Sequence, residues 1–255
     1  MLKAFVLFAG IATCLPLRAE EKITEITATA SDAPSFTAAD GTGLYFDLIR
    51  LIFEPLGIKV KFKVAPWNRA VSYVINKQAD LMFGHFCDQK WANENNVIYS
   101  KYPHGLEIVA ALFLKGEVAD WKGEASLENA KVAWPLGYDY HMFLKVKTNW
   151  TESKDTDTGL EMLDNKRMKF YLDDKAVLVD LFKRNKGKWN MDKYQMEDVI
   201  RNDLVMILPK TPRGKQVADI YNRRLPEVAK TGQIEKIAAK YDVTILPKWD
   251  HVTCP

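Results

Sequence analysis

Few residues in this 255-residue chain have types and spacings that would carry out covalent chemistry. Its four histidines, His85, His104, His141 and His251, are scattered, and none has a partner at the short spacing that metal ligation uses. No G-x-S-x-G, H-E-x-x-H or glycine-rich phosphate loop occurs. Carboxylates are plentiful, but acid–base work needs a pair at defined geometry, which distance along the chain does not supply. The remaining candidates are suited to holding a molecule rather than converting it. Trp67, Phe86 and Tyr138 fall on loops or helix starts that follow strand-like segments, and Phe36 lies in the loop after the first such segment. Open α/β sheets bind ligands at strand ends, in clefts lined by flat apolar faces with a few polar groups. The alternative for each ring is a place in the core. Arg69 is the candidate partner for an anionic group, its alternative being a solvated helix charge. His85, beside Gly84 in a strand-end loop, reads as a neutral hydrogen-bonding residue rather than a metal ligand. No metal and no cofactor is expected.

The elements that position these residues alternate between two periods. Ile23 to Ala30 has β-branched residues at period two and reads as a strand. After a turn-rich stretch, Leu44, Phe46, Leu48, Leu51, Ile52 and Leu56 recur at helical spacing and stop at Gly57. Ile58 to Val64 alternates apolar residues with lysine, Pro66 opens a helix over Trp67 to Asn76, and Ala79 to Phe83 is a short buried strand. Such a βαβαβ opening implies a mainly parallel sheet covered by helices. Ile108 to Leu114 is a further strand, and Lys131 to Trp134 starts a second series. That series predicts helices over Asp139–Val146, Thr158–Asn165 and Lys175–Arg184, with strands Lys169–Leu172 and Leu204–Leu208. Thr211 can cap a helix with Pro212 at its first position, running to about Tyr221 or a little beyond, and Gly232–Tyr241 predicts the last helix. Two α/β units joined by two strands make a hinged layout.

The start of the chain has the form of an export signal. Lys3 precedes a 14-residue apolar stretch, Ala4 to Leu17, and Ala19 is a suitable last residue before cleavage. That stretch contains Pro16 and is shorter than the roughly 20 residues of a spanning helix. Ile11-Ala12-Thr13-Cys14 loosely resembles a lipidation box, so a lipoprotein is the alternative to a free exported protein. Thirty-six basic and 33 acidic residues give +3, which falls to +1 once Lys3 and Arg18 are removed. So even a balance gives no support to nucleic-acid binding. Export leaves Cys87 and Cys254, an even number in an oxidising compartment, which predicts a disulfide between them, two free thiols being the alternative. A bridge would tie the C-terminal tail to the first unit. Asn149-Trp150-Thr151 matches a glycosylation sequon, at the level of chance.

Several segments, in this order and spacing, carry a family resemblance. The end reads Leu208-Pro209-Lys210-Thr211-Pro212-Arg213-Gly214-Lys215, then Ile220-Tyr221-Asn222-Arg223-Arg224-Leu225-Pro226, Lys230-Thr231-Gly232-Gln233-Ile234 and Ala239-Lys240-Tyr241. Earlier come Gly43-Leu44-Tyr45-Phe46-Asp47-Leu48, Pro66-Trp67-Asn68-Arg69-Ala70, Gln78-Ala79-Asp80 and Tyr99-Ser100-Lys101-Tyr102-Pro103. Together they resemble family 3 of the periplasmic solute-binding proteins, the amino-acid-type binders. The resemblance covers nearly the whole mature chain. It implies a two-lobed α/β protein of the type II periplasmic-binding fold, each lobe a mainly parallel sheet flanked by helices. Residues 20–112 and 204–255 would form the first lobe, 113–203 the second, after a signal at 1–19. It further implies a monomer capturing a small polar or amino-acid-like molecule in the interlobe cleft. The partner would be the permease of an ABC importer or a sensor kinase.

Departures from the family's pattern bear on the ligand. The family clamps an α-carboxylate with an arginine after the Asp80-type strand, whereas residues 84–94 here contain none, only Lys90. The family's Gly-Thr-Thr helix start appears as Gly137-Tyr138-Asp139, and an aspartate there repels an anion. The family's ammonium-binding acid matches Asp174 or, alternatively, Asp173, and Phe36 matches its stacking position. The expected cleft is therefore Phe36, Trp67, Arg69, Gly84, His85, Phe86, Gly137, Tyr138 and one or both of Asp173 and Asp174. Two rival readings stay open. One is a cyclohexadienyl-dehydratase-like enzyme on the same fold, for which Glu94 or His85 would be the acid. The other is a sensing module without transport.

Overall fold

Three parallel strands at the start of the chain pair as the βαβαβ pattern requires. In the computed structural model, which describes residues 22–185 and 187–254, β1 (Glu25–Ala30) pairs with β2 (Lys59–Val64) from Glu25↔Lys59 to Ala30↔Val64. β3 (Leu81–His85) joins β1 on its other side. The export signal, its alternative lipidation cysteine and the cleavage point lie outside the described residues. β2 is an edge strand whose Lys59, Lys61 and Lys63 face solvent, a charge pattern that discourages pairing with another chain. The helix α1 (Leu44–Phe53) buries Leu44, Phe46, Leu48, Ile49, Ile52 and Phe53, and a 3-10 turn carries the chain to Gly57, whose φ of 76° makes the expected left-handed stop.

The end of the chain packs against this beginning. α6 (Pro212–Ala229) opens with Thr211 Oγ1 accepting from Gly214 N–H and with Pro212 in its first turn, as its sequence predicts. It continues eight residues past Tyr221 and accommodates Pro226 within it. α6 and α7 (Gln233–Lys240) contribute Val217, Tyr221, Leu225, Ile234 and Ala238 to one core with α1 and β1. The opposite face of the sheet is covered by α2 (Trp67–Ile75) and α3 (Gln89–Glu94), through Ala70, Val74 and Ala92.

A second sheet follows. β5 (Gly105–Leu114) pairs antiparallel with β8 (Phe170–Asp174), which runs parallel to β6 (Lys131–Pro135), itself parallel to β7 (Asn149–Ser153). α4 (Thr156–Asp164) and α5 (Lys175–Arg184) cover one face with Leu160, Leu163, Leu178 and Phe182. The other face holds Val109, Phe113, Trp134, Phe170 and Leu172. β9 (Tyr194–Pro209) links the two sheets. It pairs with β5 from Tyr194 to Leu204, then with β3 and β4 (Val97–Tyr99) from Val205 to Pro209. Its sixteen residues far exceed the five that the sequence pattern predicts, because polar residues such as Asp198 and Arg201 interrupt its apolar pattern.

The expected helix over 139–146 does not form. Only a 3-10 turn, Tyr140–Met142, is present, preceded by Asp139 with φ 49°. The Glu124 carboxylate accepts the N–H groups of Lys145 and Val146, replacing the i−4 carbonyls that a helix would use. Tyr140, Phe143 and Val146 are thereby free to pack into the second core from an irregular loop.

The tail lies across the first unit. Thr253 and Cys254 donate their N–H groups to the Lys101 carbonyl, and Thr253 Oγ1 donates to Asp203 in β9. Cys254, 2% exposed, is disulfide-bonded to Cys87 with a Cα–Cα distance of 5.7 Å, the pairing that the sequence predicts.

Candidate functional site

A cavity of about 310 Å3 opens between the two sheets. One wall is built from the loop after β1, the start of α2 and the end of β3 with the residues following it; the other comes from the start of β5, the loop 137–143 and the end of β8. Of the residues expected from sequence, Phe36, Trp67, Gly84, His85, Phe86, Gly137, Tyr138 and Asp174 line it.

Arg69 does not. It is exposed on the outer face of α2, two positions after Trp67 and so about 200° around the helix. The cavity-facing stripe is Trp67, Asn68, Val71 and Ile75, while Ala70 and Val74 face the core. Asp173 is also off the cavity, buried at 1% exposure beneath it. It accepts hydrogen bonds from Thr156 Oγ1 (2.8 Å), the Tyr171 hydroxyl (3.1 Å) and the Asp174 N–H (2.9 Å). Adjacent residues of a strand point to opposite faces, so only one of the two aspartates can face the ligand.

Two glycines shape the walls. At Gly84 (φ 92°) an added Cβ would sit 3.1 Å and 3.3 Å from Trp67 ring atoms, so the indole lies directly across this backbone. Gly137 (φ 84°) donates its N–H to Glu152 (2.7 Å) and approaches the Asn68 amide from the opposite wall. Aromatic rings also meet across the gap. Trp67 and Tyr138 have centroids 5.6 Å apart, and Phe86 meets Phe143 edge-on at 4.8 Å. The His85 imidazole lies between Trp67 and Trp91, 5.0 Å from each.

Sequence reasoning missed Tyr45, Asn68, Asp88, Trp91, Glu107, Tyr140 and Phe143, all of which line the cavity. Glu107 is the most consequential. It is an acid at the head of an apolar strand, and it was overlooked because the periodicity first becomes clear at Ile108. The register Val109↔Asp174 puts Glu107, two residues earlier on β5, on the same sheet face as Asp174. Glu107 is 9% exposed and accepts a 2.6 Å hydrogen bond from the Tyr140 hydroxyl.

Electrostatically the site is acidic and poorly compensated. Burial, with the charges of Asp174 and Asp173, raises the Glu107 carboxyl well above the ordinary carboxylate range. Burial raises Asp174 to about 6, opposed by the N–H groups of Ala176 and Val177 that it caps. Asp173 reaches about 7, again mainly through burial. His85 and His104 are depressed to about 3 by burial and are neutral at pH 7. His104 Nε2 accepts from Gly84 N–H (3.2 Å), which leaves its proton on Nδ1. Among the described residues no group of three metal-ligating side chains occurs. Glu94 does not line the cavity; it is exposed and faces Lys90 at 4.0 Å.

The sequence matches the model of the bacterial extracellular solute-binding proteins, family 3, over residues 26–244. No curated protein matches it. Similar solved structures include a histidine kinase sensor domain with similarity to periplasmic binding proteins, 18% identical, with a TM-score of 0.72, covering 88% of this chain and 99% of that one. A substrate-binding protein of an ABC uptake transporter from Streptococcus pneumoniae, with bound histidine, is 16% identical with a TM-score of 0.68 over 88% and 95% of the two chains. AncCDT-1, an ancestral amino acid-binding protein and precursor of cyclohexadienyl dehydratase, is 19% identical with a TM-score of 0.66 over 86% and 95%. At these identities the likeness is one of fold, and that fold is the type II periplasmic-binding-protein-like arrangement. The chain belongs to the bacterial extracellular solute-binding proteins, family 3.

Proposed function

We propose that this protein is exported to the periplasm, loses its signal after Ala19, and captures one small polar or amino-acid-like molecule between two lobes. It delivers that molecule, as a monomer, to an ABC importer or a sensor kinase, and performs no chemistry on it. The observation that carries this reading is the cavity itself, walled by residues from both sheets, with ring contacts such as Trp67–Tyr138 bridging them. Closing two walls over a ligand removes it from water and creates a shape a membrane partner can recognise. In this reading the first lobe is residues 20–112 together with 204–255, and the second is 113–203. Its two crossings are β5 and the end of β9, strands that pair with each other from Gly105↔Leu204 to Leu114↔Tyr194. A thermal-shift screen of metabolites on the mature protein, with scattering measured on each hit, tests the proposal. A hit should raise the melting temperature and reduce the radius of gyration. A ligand that stabilises without compaction would refute lobe closure.

The enzyme reading gains one observation: Glu107 lines the cavity with its carboxyl raised by burial well above the ordinary carboxylate range, the shift a general acid needs. Against it, a prephenate-like substrate is a dianion, and the lining contributes no Lys or Arg among the described residues. Turnover of prephenate by the mature protein would reverse this preference.

A further inference from the structure

The charges and surfaces of the cavity narrow the ligand class, granting that it is a solute-binding cleft. Four carboxylates line it, Asp88, Glu107, Asp139 and Asp174, and among the described residues no Lys or Arg does. None of the four is in an ion pair among those residues. Glu107 and Asp174 share a sheet face, close to Tyr45, Tyr138 and Tyr140, whose hydroxyls are held protonated by burial first and by nearby acids, Glu107 in every case. Glu107 Oε1 accepts the Tyr140 hydroxyl. On the opposite wall the Nε2 atom of His85 is buried without a hydrogen-bond partner among the described residues, on a ring that is itself neutral.

Each ligand class fares differently here. A carboxylate-bearing molecule would bring a like charge beside buried acids with no cation to offset it. A neutral apolar molecule would leave the negative charge of the acids without a counter-ion and His85 Nε2 without a polar partner. An organic cation satisfies both demands: its charge meets the acids, and its C–H groups lie on ring faces that attract positive charge. We propose that the cleft selects an organic ammonium compound lacking a carboxylate, with Glu107 and Asp174 meeting its charge between the rings of Trp67, Tyr138 and Tyr45. Burial and the neighbouring acids raise the Glu107 carboxyl well above the ordinary carboxylate range, and a cation beside it would lower it again, so binding favours release of a proton.

Calorimetric titration of the mature protein with matched pairs tests this. The probes are agmatine against arginine, putrescine against ornithine, and choline against glycine betaine; in each pair the charged nitrogen is retained and only one partner lacks a carboxylate. The two amine pairs against the choline pair show whether N–H donors or methyl groups are preferred. We expect at least one carboxylate-free cation to bind, its counterpart to bind at least about tenfold more weakly, and Glu107→Gln to lose about tenfold or more. Tyr138→Leu, which removes a ring on the same wall, supplies a second variant should Glu107→Gln unfold. A carboxylated partner binding as tightly as its amine, or a neutral or anionic molecule emerging from the metabolite screen as the ligand, overturns the cation proposal and leaves solute capture standing. A folded protein that binds neither the panel nor any metabolite overturns both.

Discussion

Breaking the Cys87–Cys254 bridge should destabilise the protein far more than the loss of its local contacts would suggest. The two cysteines are separated by 167 residues, so the bridge closes most of the chain into a loop. In the chain-entropy picture a loop of that length removes about 17 cal/mol/K from the unfolded ensemble, or about 5 kcal/mol at 25 °C. For a protein of this size that corresponds to roughly 10–20 °C in melting temperature. The figure is a ceiling, because a reduced tail that frays recovers some freedom in the folded state. Against fraying stand the bonds of Thr253 and Cys254 to Lys101, that of Thr253 to Asp203, and the burial of Cys254. The bridge also follows Phe86 and precedes Asp88, both lining the cavity, so reduction should weaken ligand binding as well. The assay is thermal unfolding by circular dichroism with and without a phosphine reductant, alongside the Cys87→Ser/Cys254→Ser double variant. Mass spectrometry would verify the free thiols. A midpoint within about 1 °C of the oxidised protein, with both thiols shown to be free, would refute the loop-entropy reasoning.

Three further outcomes follow from the geometry. Trp67→Ala and Phe36→Ala should each weaken binding of whichever ligand the screen returns by about 1–3 kcal/mol through lost ring contact, with the fold intact; equal affinity in both variants would put the pocket elsewhere. Arg69→Ala should leave the dissociation constant unchanged in titration calorimetry, because the side chain is exposed on the outer face of α2, and a tenfold loss would contradict that placement. Asp173 has its folded pKa raised to about 7 from 3.8, so its burial costs nothing below about pH 4 and progressively more up to about pH 7, approaching 4 kcal/mol as an order of magnitude. Urea midpoints of Asp173→Asn should therefore gain on the parent protein across that window, and a gap independent of pH would show that the buried carboxyl does not titrate there.

Much of the framework was legible because it is local. Period-two runs mark β1 and β2, a period near 3.6 marks α1 and α5, and Thr211-Pro212 marks the start of α6; each pattern is generated by neighbours a few residues apart. The strand-end aromatics Trp67, Phe86 and Tyr138 could be named because strand ends are local as well. What the tertiary structure alone decided was facing and company. Arg69 and Asn68 are adjacent in sequence, yet only Asn68 lines the cavity, since the packing of Ala70 and Val74 sets the rotation of α2. Asp173 and Asp174 differ by one residue, and the register of β8 on β5 turns one into the interior and the other toward the cleft. The stretch 139–146 has helical spacing but gives its backbone donors to Glu124, a residue with no local signal for that role. Glu107 belongs to the site only because β5 sets it beside Asp174, 67 positions later in the numbering. Periodicity is a property of one segment, whereas the charge of a cleft is a sum over segments that only the folded chain brings together.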